Sequence, residues 1–216
     1  MSQVIQQQVS LQGPAGELEA VLEHAPEPSF IALVCHPHPL FGGTMDNKVV
    51  TTLCRAVREG GGAALRFNFR GVGHSQGAYS EGLGETEDLV AALHWLQAQF
   101  PDRPLWLAGF SFGSFVAARG AEMLHANGTP AMHLLLVAPP VTNFDLASIS
   151  DTGCPVTVVQ GDDDEVVEAA AVHRFVATSP LAPELIRFPD CGHFFHGRLT
   201  DLKALAKSRL PGALAE

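Results

Sequence analysis

The sequence predicts an α/β fold in which a mostly parallel sheet is covered by helices on both faces. Three observations predict it. Segments of strand character alternate with segments of helical period along most of the 216 residues. Several strand candidates, such as residues 31–35 and 134–138, are short continuous apolar runs, the pattern of a strand buried on both faces. No linker divides the chain, so residues 1–216 read as one domain.

Residues 4–11 and 17–23 read as two strands around the turn Gly13-Pro14-Ala15-Gly16, a hairpin at one edge of the sheet. The run 30–35 is the first fully buried strand. After a Pro/Gly loop, Val49, Val50, Leu53, Cys54 and Val57 share one helical face, and Gly60-Gly61-Gly62 closes that helix. Residues 63–69 form another strand. Leu89, Leu93, Leu96 and Phe100 mark a helix stopped at Pro101. A strand at 105–108 leads into an Ala-rich helix at 114–126 that ends at Asn127-Gly128. Strands are expected at 134–138, 156–160 and 184–188, and a helix at 166–176. Leu199, Leu202, Leu205, Ala206 and Leu210 give the last segment one apolar helical face.

The composition excludes several classes of function. With 46% hydrophobic and 17% charged residues, disorder is excluded. Lys and Arg number 13 against 23 Asp and Glu, a net charge of −10, which repels phosphate backbones and argues against a nucleic-acid partner. No run approaches the ~20 apolar residues that cross a bilayer, so no membrane partner is expected. Residues before Lys48 carry no Lys or Arg, so the basic start of a secretory signal is missing. Four cysteines fall singly, without a C-x-x-C pair, as in reduced cytoplasmic proteins. A soluble, cytoplasmic protein is expected.

The string G-x-S-x-G occurs twice, as Gly109-Phe110-Ser111-Phe112-Gly113 and as Gly73-His74-Ser75-Gln76-Gly77. A nucleophilic serine needs a sharp strand-to-helix turn whose glycines let strand and helix approach without a Cβ clash. Ser111 has a strand before it and a helix after it. Ser75 is followed by Gly77, Gly82 and Gly84, with no helix before about residue 85, and reads as a loop hydroxyl.

A serine hydroxyl needs a base. Among ten histidines, His193 follows the last strand through Pro189-Asp190-Cys191-Gly192, at the carboxyl end of the sheet where such sites gather. His196 lies three residues on, and is expected to face away. His24, His94, His125, His133 and His173 read as surface or packing residues. An acid that orients His193 is expected in Gly161-Asp162-Asp163-Asp164-Glu165, and the residues alone leave the choice among its four acids open.

Two backbone donors for a developing oxyanion are expected. One is the N–H of Phe112, directly after the serine. The other lies in Cys35-His36-Pro37-His38-Pro39-Leu40-Phe41-Gly42-Gly43. The prolines have no N–H, which leaves His38 or Leu40. His36-x-His38 has no acidic or His partner at ligand spacing, so no metal is expected.

The segments His-Pro-His-Pro-Leu-Phe-Gly-Gly-Thr-Met-Asp-Asn-Lys (36–48), Arg-Phe-Asn-Phe-Arg-Gly-Val-Gly-His-Ser-Gln-Gly (66–77), Gly-Phe-Ser-Phe-Gly (109–113) and Gly-Asp-Asp-Asp-Glu-Val-Val (161–167) together resemble the α/β-hydrolase superfamily. The resemblance runs over nearly the whole chain and is strongest to a small bacterial group. It implies an eight-stranded, mostly parallel sheet and a Ser/Asp/His triad. It places the acid on Asp164, through G-x-x-D-x-x-V, and gives Ser75 a structural role. Many relatives have His-Gly-x where this chain has His36-Pro37-His38. The superfamily inserts its caps after the sixth strand. Here only residues 139–154 lie in that gap, enough for a loop and a helical turn but not a covering domain.

The expected function is therefore hydrolysis of small to medium carboxylic esters or thioesters by Ser111, His193 and Asp164, with no cofactor. Phe41, Phe112 and Phe194 are candidates for an apolar acyl pocket, whereas Phe110 and Phe115 read as packing residues. A peptidase or amidase on the same triad is the rival enzyme, and a binding protein that keeps only the scaffold is the rival outside enzymes.

Overall fold

In the computed structural model, which describes residues 4–212, the chain opens with an antiparallel hairpin, β1 (Ile5–Gly13) and β2 (Gly16–His24). The ends of the expected domain, residues 1–3 and 213–216, lie outside the described residues. Strands β3 (Ile31–Cys35), β4 (Ala63–Phe67), β5 (Leu105–Phe110), β6 (His133–Val137), β7 (Val156–Gly161) and β8 (Glu184–Phe188) follow. They complete one eight-stranded sheet of order β1-β2-β4-β3-β5-β6-β7-β8. From β4 to β8 every pairing is parallel, and β2 meets β4 antiparallel.

Five helices cover the sheet: α1 (Lys48–Glu59), α2 (Leu83–Gln99), α3 (Phe112–Ala126), α4 (Ala169–Thr178) and α5 (Leu199–Lys207). The alternation within the central strands explains why both faces need cover. Ile31, Leu33 and Cys35 of β3 pack with α2 and α3, while Ala32 and Val34 pack with α1 and α5. In β5, Leu105 and Leu107 face the first layer, and Trp106, Ala108 and Phe110 the second. Trp106 is fully buried, and its indole N–H is matched by the Arg209 carbonyl at 3.0 Å.

The chain winds from β3 outward to β4 and then returns to the other side of β3 as β5. Strand order thus reverses between β3 and β5, and the loops leaving their carboxyl ends diverge to open a crevice there. That crevice is where the loop 36–47 and Ser111 emerge.

Two element boundaries differ from the sequence reading. The strand expected at 63–69 ends at Phe67, because the Phe69 N–H turns to the ring of His36 at 3.0 Å. The helix expected from residue 166 starts at Ala169, after a turn in which Asp164 Oδ1 accepts the Val166 and Val167 N–H groups at 2.9 and 2.7 Å. Residues 139–154 form a loop with a single 3₁₀ turn, Leu146–Ser148, and no covering domain. The four cysteines are unpaired. No helix among the described residues is long and apolar enough to cross a membrane.

Candidate active site

Ser111 sits between the last residue of β5 and the first of α3, with φ 52° and ψ −122°. A left-handed φ at a non-glycine residue is costly and persists only when its surroundings fix it. Here the Ser111 N–H donates to the Val137 carbonyl at 2.8 Å, and its own carbonyl accepts the Ser114 N–H at 2.8 Å. Buried Ser114 ties the same corner, donating its hydroxyl to the carbonyls of Gly109 and Val137. The two motif glycines are required by space. A Cβ on Gly109 would overlap the Gly113 carbonyl, and one on Gly113 would overlap the Cys35 carbonyl.

His193 follows β8 and is buried. Its Nδ1 lies 2.8 Å from Asp164 Oδ2, and the Asp164 side chain is wholly inaccessible. Burial pushes the Asp164 carboxyl up, but bonds from the His193 ring and from the Val167 and Val166 N–H groups outweigh it and hold it below the ordinary carboxylate value. Gln160 Nε2 adds a further bond at 3.0 Å. With Asp164 accepting at Nδ1, a neutral His193 keeps Nε2 as the free acceptor.

The other acids of the run go elsewhere. Asp162 pairs with Arg187 through two bonds of 2.9 Å. Asp163 donates its N–H to the Cys191 carbonyl. Glu165 accepts the backbone N–H of His193 at 3.1 Å, and so fixes the His193 loop to the β7 loop. That anchoring role was not foreseen, because four adjacent acids give no sign of which turns inward.

Ser111 and His193 line one cavity of about 630 Å³, together with Pro37, His38, Phe41, Phe112, Phe144, Val166 and Phe194 among others. Phe41 and Phe194 line the cavity, and both are exposed. Phe110 is fully buried with its ring centroid 5.0 Å from that of His193, and Phe115 packs on Phe144. Phe144 is an unforeseen lining residue, brought over Phe112 at 5.1 Å by the 139–154 loop. His196 is exposed and is not among the lining residues.

The loop amides separate the two candidates for the second donor. The Leu40 N–H is engaged by His38 Nδ1 at 3.2 Å, and Leu40 does not line the cavity. The sequence reading left Leu40 level with His38, and the loop places the two amides differently. The Phe41 and Gly43 N–H groups go to the His38 carbonyl and the Gly42 N–H to that of Pro39. Of the N–H groups between residues 37 and 43, only that of His38 has no acceptor among the described residues. The Phe112 N–H stands at the first turn of α3, where helix geometry supplies no partner.

Two further histidine and serine candidates are accounted for by the backbone. His36 is buried, with Nδ1 donating to the Pro37 carbonyl and Nε2 accepting from Phe69. Burial brings its pKa down to about 4. Ser75 accepts the Glu19 N–H at 2.9 Å and donates to the Asn68 carbonyl at 2.7 Å. It is not among the cavity-lining residues, and it ties the loop after β4 to β2.

Comparison with known proteins agrees with this architecture. A family model described as an alpha/beta hydrolase domain matches residues 34–204. An alpha-beta serine hydrolase homologue from Coxiella burnetii is 44% identical, covers 94% of this chain and 97% of its own, and superposes with a TM-score of 0.85. An α/β serine hydrolase without a lid from Xanthomonas campestris is 40% identical over 96% of each chain, with a TM-score of 0.87. An uncharacterised protein of Rickettsia prowazekii is 38% identical over 174 residues, 78% of this chain and 71% of that one.

Proposed function

The chain belongs to the α/β-hydrolase family, and on that premise we propose that it is a serine hydrolase cleaving carboxylic esters or thioesters through an acyl-enzyme. The observation that carries this reading is the buried His193–Asp164 pair on the same cavity as Ser111 at its strained turn. Ser111 Oγ attacks the acyl carbon while His193 Nε2 takes its proton. The carbonyl oxygen becomes an oxyanion held by the N–H groups of Phe112 and His38. Collapse breaks the bond to the alcohol or thiol, which leaves with the proton from His193. Water then repeats the sequence and releases the acid and free Ser111. Asp164 holds the imidazole with Nε2 toward Ser111 and stabilises the imidazolium. Phe41 and Phe194 contact the acyl or leaving group at the mouth. The reaction uses no cofactor.

Hydrolysis of p-nitrophenyl butyrate and of a matched butyryl thioester tests the reading. Ser111→Ala is expected to lose about 10⁵–10⁶ in kcat, the scale seen when such a nucleophile is removed. Turnover retained by that variant would overturn it.

A further inference from the structure

The His38 side chain is also engaged, and its bonds all bear on its own amide. Nδ1 accepts the Leu40 N–H, which caps the 3₁₀ turn Pro39–Phe41. Nε2 lies 3.1 Å from the hydroxyl of Tyr79, the one tyrosine of the chain. Because Nδ1 accepts, the neutral ring carries its proton on Nε2 and donates it to the Tyr79 oxygen. The opposite tautomer would set two N–H donors against each other at Leu40. The ring lies among Phe41, Tyr79 and Phe112, with centroids 4.8, 4.9 and 4.9 Å away. The His38 carbonyl, accepting from Phe41 and Gly43, closes the loop from its other side.

We infer that His38 and Tyr79 are positioning residues for the oxyanion site: Tyr79 holds the His38 ring in the tautomer that the Leu40 N–H selects, and the His38 imidazole holds the turn that aims the His38 N–H into the cavity. This rests on the oxyanion role given above to that N–H. Tyr79 accepts from the protonated nitrogen of the His38 ring, as Asp164 does at His193, and so restrains the ring's orientation. A donor aimed in advance needs no reorganisation as charge develops, so its effect falls on kcat rather than on KM.

Three variants separate this role from packing. His38→Phe keeps an aromatic ring and removes the acceptor. His38→Asn loses the ring but restores an acceptor, since an Asn side chain bonds the N–H two residues on. Tyr79→Phe removes only the hydroxyl. With p-nitrophenyl butyrate, His38→Phe is expected to lower kcat by about 10- to 100-fold, short of or equal to removal of an oxyanion donor. KM should change by less than about threefold, as for an interaction made only in the transition state. His38→Asn should recover about tenfold over His38→Phe, and Tyr79→Phe should lose about 3- to 10-fold in kcat alone, a smaller share of the same donor's effect. Thermal unfolding of each variant provides the fold control, with active sites counted by phosphonate titration. His38→Phe with wild-type kcat, or His38→Asn no better than His38→Phe, overturns the inference. If Ser111→Ala is inactive while His38→Phe is fully active, only the positioning role fails. If Ser111→Ala is active, the underlying reading fails instead.

Discussion

Four consecutive acids, residues 162–165, share one loop and end in different environments, and the difference decides which of them matters to the proposed reaction. Asp164 alone bonds the His193 ring. Asp164→Asn is expected to lower kcat by up to about 10⁴, because the imidazole loses its preferred tautomer. Asp162→Asn removes an exposed pair with Arg187, which contributes no more than about 1 kcal/mol, and kcat should stay within about twofold. Initial rates on one ester compare the two directly, and a crippled Asp162→Asn would contradict this account of the loop. The residues alone left the acid open because a carboxylate's direction is set by N–H donors two and three residues away, at Val166 and Val167. His36 supplies a second prediction. Its folded value of about 4 lies below the ordinary 6.5, so between those values the unfolded chain binds a proton the folded chain does not. Its contribution is complete above 6.5 and is lost as pH falls toward 4. His133, also lowered to about 4 by burial, acts in the same direction. The depressed Asp164 carboxyl contributes above the ordinary carboxylate range and loses that contribution as pH falls through its folded value. The urea midpoint should therefore be lower at pH 5 than at pH 7.5, and equal midpoints would contradict these assignments.

At the level of elements, the second G-x-S-x-G string shows why context outweighs the string. Ser75 lies in a loop whose polar groups extend the pairing of β2. Its hydroxyl joins Glu19 to Asn68, and Gln76 bonds the Glu17 backbone through both its N–H and its side chain. Ser75→Ala leaves a buried N–H and carbonyl without that partner and should cost about 1–3 kcal/mol of stability. Its kcat per folded molecule should match wild type. Urea unfolding and steady-state kinetics on the same sample test both halves, and an intact fold with lost turnover would move the nucleophile assignment. The strand–turn–helix setting of Ser111 was legible because apolar runs and an Ala-rich helix flank it. The early end of β4 was not, because the His36 ring from another segment claims the Phe69 N–H, nor was the late start of α4, which follows a turn that Asp164 closes onto Val166 and Val167. The buried Arg70–Asp88 pair, with bonds down to 2.7 Å, likewise joins groups that no local pattern links. Tyr79 and Phe144 reach the site region from loops whose course only the folded chain defines.

For the whole molecule, the short 139–154 segment leaves the cavity open, with exposed Phe41, Val166 and Phe194 at its mouth. Each CH₂ of an acyl chain gains up to about 0.8 kcal/mol only while it stays buried. Across p-nitrophenyl acetate, butyrate, octanoate and palmitate, kcat/KM should rise over the first few carbons and then level off or drop. No jump should occur as butyrate passes its solubility limit, because no cover has to move. A steady climb to palmitate would mean a deep tunnel. The alternation of strands and helices, the edge hairpin and the two-faced burial were legible at this scale, since period and apolar runs are read directly from the chain. The meeting of three distant loops at one crevice follows from strand order reversing between β3 and β5. The central claim is that Ser111 is the nucleophile of this crevice, and covalent capture tests it most directly. The protein is incubated with a fluorescent phosphonate and the adduct is mapped by peptide mass spectrometry. The account predicts one adduct per chain on the Ser111 hydroxyl, with loss of turnover in proportion to labelling. An adduct on Ser75, or full turnover by a protein already labelled at Ser111, would contradict it.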